Sequence, residues 1–301
     1  MIAFGCAITD VPTFESCAEP GIKLVAEADS QVWGHQSTGS LFRNYNLLLD
    51  LAAEHDDLEA LVLVHQDAQI VDTGILAAIR EALSDPEVAI VGCAGAIGVR
   101  NIAWWEGAVT WASFTHRYTE WGGGDFPSLC WDPDKVPSFA HTGEVDSIDG
   151  FVMVLSPWAV KNLRFDESLG TLHGYDFDIC MQAKAAGRKV VTAEFRVIHH
   201  HSLDLVSDAE TWIEVHMRLA DKWEDLLSQV ESGAGDWKQR ARRAEAEAAV
   251  EKAQTVSTQL HYEALGEVHK EMVKSASWRL TGPLRRLRGA VGAVRDRRAS
   301  T

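Results

Sequence analysis

The sequence predicts an α/β protein: a doubly wound, mostly parallel sheet flanked by helices, followed by a C-terminal helical extension. Three observations carry that expectation. Over residues 1–206 short β-type runs alternate with helical patterns in the order β-α-β-α-β-α-β, the pattern of a sheet covered by helices on both faces. The run Leu58–Val64 is almost continuously apolar, as a central strand buried on two sides must be. Beyond residue 236 the composition turns to Ala, Glu, Lys, Arg and Gln, which suits helix.

Each element has its own reason. Ile2–Thr9 is apolar throughout and reads as a buried first strand; no basic residue precedes it and no cleavage-like site follows, so it does not read as a signal peptide. Glu15–Ala28 is expected to be helical, and Gln31–Gly34 a short strand. Ser40–Glu54 carries Leu41, Tyr45, Leu48, Leu51 and Ala52 at helical spacing. After Leu58–Val64, Thr73–Leu83 reads as helix and Val88–Cys93 as another buried strand. Residues 97–145 break the rhythm. Five of the eleven tryptophans (Trp104, Trp105, Trp111, Trp121 and Trp131) fall there with Gly122-Gly123-Gly124, and a long irregular insertion of this kind is usually functional. The sheet is expected to resume at Val145–Leu155, then a short helix Pro157–Asn162, a helix Asp176–Ala186 stopped by Gly187, and a strand Lys189–Ile198. Ser207-Asp208-Ala209-Glu210 forms a capping-box pattern opening a long helix. Ser232-Gly233-Ala234-Gly235 reads as a linker. The expected division is therefore 1–231 for the α/β domain, 236–273 for the helical extension and 274–301 for a basic tail.

Composition narrows the function. Apolar residues make up 46% and charged residues 24% of the chain, an ordinary globular mix that excludes global disorder. With 28 Lys+Arg against 44 Asp+Glu the net charge is −16, which speaks against a nucleic-acid binder. The total hides a split: residues 1–273 carry −23 and the stretch from Lys274 to Arg298 carries +7. Five cysteines with no C-x-x-C pair fit a reducing, cytoplasmic setting better than a disulfide framework or a structural zinc site. No run approaches the ~18 apolar residues of a membrane span.

Ligands of doubly wound sheets bind beyond the carboxyl ends of the strands, so polar residues there are the first candidates. His65-Gln66-Asp67 follows the most apolar strand; an Asp there can hold a hard divalent cation and a His can add a borderline ligand. The bland alternative is an Asp that caps the next helix. Tyr175-Asp176-Phe177-Asp178 opens a helix, and positions two apart on a helix lie about 200° apart, so one carboxylate can face a cleft while the other caps or pairs. His199-His200-His201 ends a strand, where alternation forbids all three from meeting one ion. Gly150, in Asp149-Gly150-Phe151, sits in a strand-like run and marks either a close approach to a ligand or another backbone, or a bulge. The tryptophan-rich insertion offers indole faces on which sugars stack, or a small core of its own.

At these residues the chain resembles the family 2 glycosyltransferases of the GT-A fold. The segments LVLVHQDAQI, VGCAGA, AWWEG, SIDGFVMV, FDESLGTLHGYDFDICMQAKAAGRKV and VIHHHS are most similar to a bacterial subgroup with HQD in place of D-x-D, and the resemblance covers residues 1–230. It implies that Asp67 binds the divalent cation, Mn²⁺ or Mg²⁺, that holds the donor diphosphate, and that Asp176 is the catalytic base of an inverting transfer. It implies that one of three histidines completes the metal site, with His200 favoured by its spacing to Ser202 and His199 or His201 as alternatives. Thr9, Asn46, His65 and Gln66 fall where the family contacts the nucleotide, Asp149 and Gly150 near the donor sugar, and Trp104 and Trp105 where sugar or acceptor would stack. His65 replaces the first Asp of D-x-D, which removes one negative charge and favours Mn²⁺. The implied partners are a nucleotide-diphosphate sugar and a cell-surface glycan or lipid-linked acceptor.

The segment from Ser277 to Arg285 resembles a C-terminal segment of bacterial surface-polysaccharide glycosyltransferases. Trp278, Leu280, Leu284, Leu287, Val291 and Val294 alternate with arginines, as in a segment lying on an anionic membrane surface; a solvated tail is the alternative. The helix over 236–273 is compatible with a homodimer. Two rival functions use the same residues: a metal-dependent hydrolase on a doubly wound sheet, and a non-catalytic scaffold of polysaccharide assembly.

Overall fold

The computed structural model describes residues 1–36, 39–99, 101–103, 108–112, 114–118, 124–130, 142–201, 208–226 and 236–281, with backbone alone at 108–112, 114–116, 118, 124–130, 201, 236–241, 243–244 and 247. The chain forms two compact units, Met1–Gln254 and Thr255–Thr301.

The first unit opens with strand β1 (Ile2–Ile8), helices α1 (Val11–Ser16) and α2 (Ala18–Val25), and β2 (Val32–Gln36). The single helix expected over 15–28 is thus two, divided at Cys17. The restart puts Pro20 in the first turn of α2, where its missing N–H costs no hydrogen bond. Helix α3 (Leu41–Ala53) is capped by the Ser40 hydroxyl, which accepts from the Arg43 N–H. Then come β3 (Ala60–Val64), β4 (Ala68–Ile70), α4 (Ile75–Ala82), β5 (Val88–Gly92) and β6 (Ala94–Ile97). The insertion expected to be irregular contains β7 (Ala108–Ala112), β8 (Phe114–Tyr118) and β9 (Gly124–Cys130). The continuous strand expected over 145–155 is instead three pieces, β10 (Glu144–Val145), β11 (Ser147–Ile148) and β12 (Val152–Leu155). Helices α5 (Pro157–Asn162) and α6 (Tyr175–Ala185) follow. The strand expected over 189–198 is two, β13 (Lys189–Thr192) and β14 (Val197–His201). Helix α7 (Ala209–Lys222) is capped by Asp208, which accepts from the Thr211 N–H. Helices α8 (Asp236–Lys274) and α9 (Ala276–Leu280) end the described chain. Among the described residues no helix is long and apolar enough to cross a membrane.

The main sheet has the order β10-β13-β5-β12-β3-β1-β2. Strands β1, β2 and β3 run parallel, as do β13 and β5. Strand β12 lies antiparallel between β3 and β5, pairing Val154 with both Val62 and Val91. A second sheet, β4-β14-β8-β9, and a third, β11-β6-β7, lie beside it. Alternation along β3 explains its unbroken apolar sequence. Leu61 and Leu63 join one core with α3, α5, α6 and α7, while Ala60, Val62 and Val64 join the other with α2 and α4. Ala246, Ala249, Val250 and Ala253 of α8 belong to the first of these cores, so the first unit runs past the expected end at 231.

Candidate active site

The site begins where β3 ends. The His65 N–H donates to the Phe151 carbonyl (2.9 Å), and the Ala68 N–H closes a turn onto the His65 carbonyl (3.0 Å). That turn carries His65, Gln66 and Asp67 off the carboxyl end of the main sheet and into β4. Strand β14 pairs antiparallel with β4, with His199 opposite Ala68, and the His200 N–H donates to the Asp67 carbonyl (2.8 Å). Strand alternation then separates the histidines. His199 is buried, stacks on Phe151 with ring centroids 4.5 Å apart, and brings Nε2 to 3.6 Å from Asp67 Oδ1. His200 turns the other way, and its Nε2 lies 3.1 Å from Gln69 Oε1. The histidine beside Asp67 is therefore His199, not the His200 favoured by spacing; counting back from Ser202 could not say which face each residue takes. The His201 side chain lies outside the described residues.

His65 completes the cluster from the other side, with Nδ1 3.9 Å from Asp67 Oδ1. Its Nε2 lies 2.6 Å from the Tyr175 hydroxyl. One ligand atom each from His65, Asp67 and His199 lie within 4.8 Å of one another. Two imidazole nitrogens and a carboxylate oxygen at this separation are a donor set that could hold a divalent cation.

Helix α6 brings the second group. Its N-cap, Gly174, has φ of 76°, which only glycine adopts at no steric cost; a Cβ there would also fall 2.5 Å from Leu219 Cδ1. The next residue, Tyr175, is buried among Phe42, Tyr45 and Phe165. Gly150 has to be glycine for the same ring, since a Cβ there would lie 2.6 Å from Tyr175 Cζ. Burial pushes the Tyr175 hydroxyl well above its ordinary pKa, with nearby Tyr45, Asp176, Asp149 and Asp67 adding to the rise, so the phenol stays neutral.

Asp176 keeps part of its surface open to solvent. Its Oδ2 accepts from the Gly150 N–H (3.1 Å) and its Oδ1 from the Phe177 N–H (2.8 Å). Loss of solvation, and secondarily the charge of Asp149, raise its pKa to about 7, against the opposing pull of those backbone bonds. Asp178 faces the opposite way, as the helical period requires. It is fully buried and accepts from Gln182 Nε2 (2.7 Å), Trp223 Nε1 (2.8 Å) and Lys222 Nζ (3.0 Å), so it joins α6 to the end of α7.

The other expected residues divide. Gln66 Oε1 accepts from the backbone N–H groups of Thr9 (2.8 Å) and Asp10 (2.9 Å), and its Nε2 donates to Thr9 Oγ1 (3.0 Å); this joins the loops after β1 and β3. Asp149 Oδ1 accepts from the Phe151 N–H (3.3 Å). Asn46 is occupied elsewhere: its Nδ2 donates to the Phe165 carbonyl (2.8 Å) and its Oδ1 accepts from the Phe165 N–H (2.9 Å), a brace between α3 and the loop before α6. Trp104 and Trp105 lie outside the described residues. Sequence reasoning passed over Tyr175 and Phe151. Both stand inside quoted segments, but apolar periodicity reads them as core, and their contacts with His65 and His199 come only from long-range pairing.

Comparisons with known proteins show what the chain is similar to. Over 206 residues the chain is 27% identical to the streptomycin biosynthesis protein StrF of Streptomyces griseus, covering 67% of each chain. Over 181 residues it is 28% identical to the O-antigen biosynthesis protein RfbC of Myxococcus xanthus, covering 56% of this chain and only 13% of RfbC. Among solved structures, GalNAc-T7 with UDP, GalNAc and Mn²⁺ superposes with a TM-score of 0.49 at 8% identity, covering 82% of this chain and 54% of that one. The mannosyltransferase PcManGT from Pyrobaculum calidifontis, in complex with GDP-Man and Mn²⁺, gives 0.46 at 14% identity, covering 93% and 82%. The model of the glycosyltransferase-like family matches residues 15–217, more than half of the sequence, and the chain belongs to that family.

Proposed function

We propose that the protein moves a sugar from a nucleotide-diphosphate sugar to a hydroxyl of a bacterial cell-surface glycan or lipid-linked acceptor, with inversion at the anomeric carbon. The observation that carries this reading is the pairing of two chemistries at the carboxyl end of the main sheet: the His65-Asp67-His199 donor set and the Asp176 carboxyl, next to each other through Tyr175. His65, Asp67 and His199 would hold a divalent cation, Mn²⁺ ahead of Mg²⁺ because two of the donors are imidazoles. When bound, such an ion neutralises negative charge on a departing diphosphate.

Asp176 accepts the proton of the attacking hydroxyl, a role that suits a carboxyl whose pKa is near 7. The acceptor oxygen bonds to the anomeric carbon, the bond to the diphosphate breaks, and its electron pair leaves with the diphosphate. One displacement from the face opposite the leaving group inverts the centre. The Gly150 and Phe177 N–H groups keep the carboxylate in place while it works. Thr9 and Gln66 stiffen the rim where the nucleotide would lie, Asp149 and Gly150 flank the donor sugar, and Trp104 and Trp105 supply stacking faces. The likeness to RfbC supports a surface-polysaccharide acceptor. The likeness to StrF favours a second reading, in which the acceptor is a small antibiotic precursor.

A thermal-shift screen of nucleoside diphosphates with and without Mn²⁺, followed by mass analysis of products from a donor panel offered both acceptor classes, tests the proposal. We expect stabilisation by one nucleotide that requires the metal, and a product heavier by one sugar. Asp176→Asn should lower turnover by about 10²–10⁴-fold while donor binding persists. Stabilisation by no nucleotide, or sugar released to water alone, would return the site to the hydrolase reading.

The tail from Lys274 onward, with its +7 balance, supports peripheral attachment to the inner face of the cell membrane, each basic residue contributing ~1 kcal/mol near an anionic surface. Full-length protein should co-sediment with anionic vesicles and a chain ending at residue 273 should not; equal binding of both counts against the attachment.

A further inference from the structure

Tyr175 has a task beyond filling the core. Its ring is fixed on several sides: Phe42, Tyr45 and Phe165 have centroids 6.2, 5.6 and 6.2 Å away, and it packs so close to Gly150 that a Cβ there would run into it. A hydroxyl on so constrained a ring has one position, and that position is 2.6 Å from His65 Nε2. The opposite nitrogen of the same imidazole, Nδ1, faces Asp67 at 3.9 Å.

A neutral imidazole carries one proton, and the two nitrogens compete for it. If the proton sits on Nδ1, it points toward Asp67 and that nitrogen has no lone pair to offer. If it sits on Nε2, it donates to the tyrosine oxygen, and the Nδ1 lone pair turns toward Asp67 and His199. Metal-binding histidines commonly have their tautomer set by an acceptor at the second nitrogen. We propose that Tyr175 is a positioning residue whose hydroxyl oxygen accepts the Nε2–H of His65, fixing the tautomer that presents Nδ1 to a divalent cation shared with Asp67 and His199. The proposal rests on the cation reading given above and adds to it the device that prepares one ligand. It also explains why Tyr175 opens the helix that carries Asp176: one residue sets the spacing between the cation cluster and the carboxyl.

The test uses Tyr175→Phe in the full-length chain, which keeps the ring and removes only the oxygen. Mn²⁺ affinity is measured by electron paramagnetic resonance of the free ion, without donor or acceptor. Loss of a partner to a ligating histidine typically weakens metal binding by about 10–100-fold, and that loss is expected. In a His65→Ala background the same change should have no effect, because Tyr175 acts through His65. Wild-type binding with unchanged affinity in Tyr175→Phe would overturn the proposal alone. An equal loss in both backgrounds would also overturn it, by showing a merely structural role. Failure of wild type to bind Mn²⁺ would overturn the cation reading and this device with it. Independently of any variant, the ¹⁵N shifts of His65 in the metal-free protein should show a protonated Nε2 and an unprotonated Nδ1; the reverse assignment overturns the proposal.

Discussion

At Asp176 two influences act on one carboxyl. Burial and the charge of Asp149 favour the protonated acid, while the Gly150 and Phe177 N–H groups favour the anion, and the balance falls at about 7 against an ordinary 3.8. The sign of the stability effect follows. Between pH 4 and 7 the folded chain holds a proton that the unfolded chain has released, so this residue's contribution to stability declines as pH rises through that window. Above it, the folded protein keeps a poorly solvated anion. Asp176→Asn removes that burden, although its single oxygen can serve only one of the two backbone donors and its amide nitrogen faces the other. In metal-free protein the melting temperature of the variant relative to wild type should therefore be higher at pH 8 than at pH 4, by about 2–8 °C for about 1–2 kcal/mol. Scanning calorimetry at the two pH values checks this. A variant that gains on wild type as pH rises while losing turnover is what a residue kept for chemistry should give. The same titration predicts that kcat/KM rises with pH along an acid limb that Asp176→Asn abolishes.

Helix α6 shows how an element can hold a reactive residue steady with an inert one. Asp178, two positions on, is bound by Lys222 and Trp223 at the end of α7 and by Gln182 one turn later. Asp178→Ala leaves Lys222 without one of its two carboxylates and the Trp223 N–H without its acceptor. A loss of about 2–4 kcal/mol is expected, below the full penalty for a broken buried pair because Lys222 keeps Asp166 at 2.7 Å. Urea unfolding measures it. Turnover in the folded fraction should fall too, since α6 would be free to shift. Much of this scale was legible in the sequence. The apolar run before His65, the Gly187 stop and the helical spacing after Ser40 all report local preferences, and the elements stand where those preferences put them. What could not be read was pairing. Val145–Leu155 looks continuous because Val145, Ile148 and Phe151 lead into the apolar Val152–Leu155, yet Ser147–Ile148 pairs with β6 and Val152–Leu155 with β3 and β5. Lys189–Ile198 looks continuous because apolar residues recur along it from Val190 to Ile198, yet it leaves the main sheet after Thr192. The identity of the metal-facing histidine was hidden by that same break: the register of β14 against β4, and not its own sequence, decides that His199 and not His200 meets Asp67.

Across the whole molecule, the first unit is held by cores on the two faces of one sheet, and α8 contributes Ala246, Ala249, Val250 and Ala253 to one of them. A chain ending at residue 254 should thus keep the melting temperature of the full protein within a few degrees, while one ending at 231 should lose about 2–4 kcal/mol through the exposed core; thermal melts of the two truncations decide it. The order in which the chain leaves the ribosome gives the position of β12 a further meaning. Strands β3 and β5 are synthesised early and are neighbours only through Val152–Leu155, which emerges much later. Until then each presents a bare apolar edge, the kind of surface on which nascent chains stick to one another. The cluster at His65 and Asp67 cannot assemble before that strand arrives, nor before β14 follows it. The enzyme is thus inert throughout most of its own synthesis, and its need for chaperone protection should be greatest in the interval between β5 and β12.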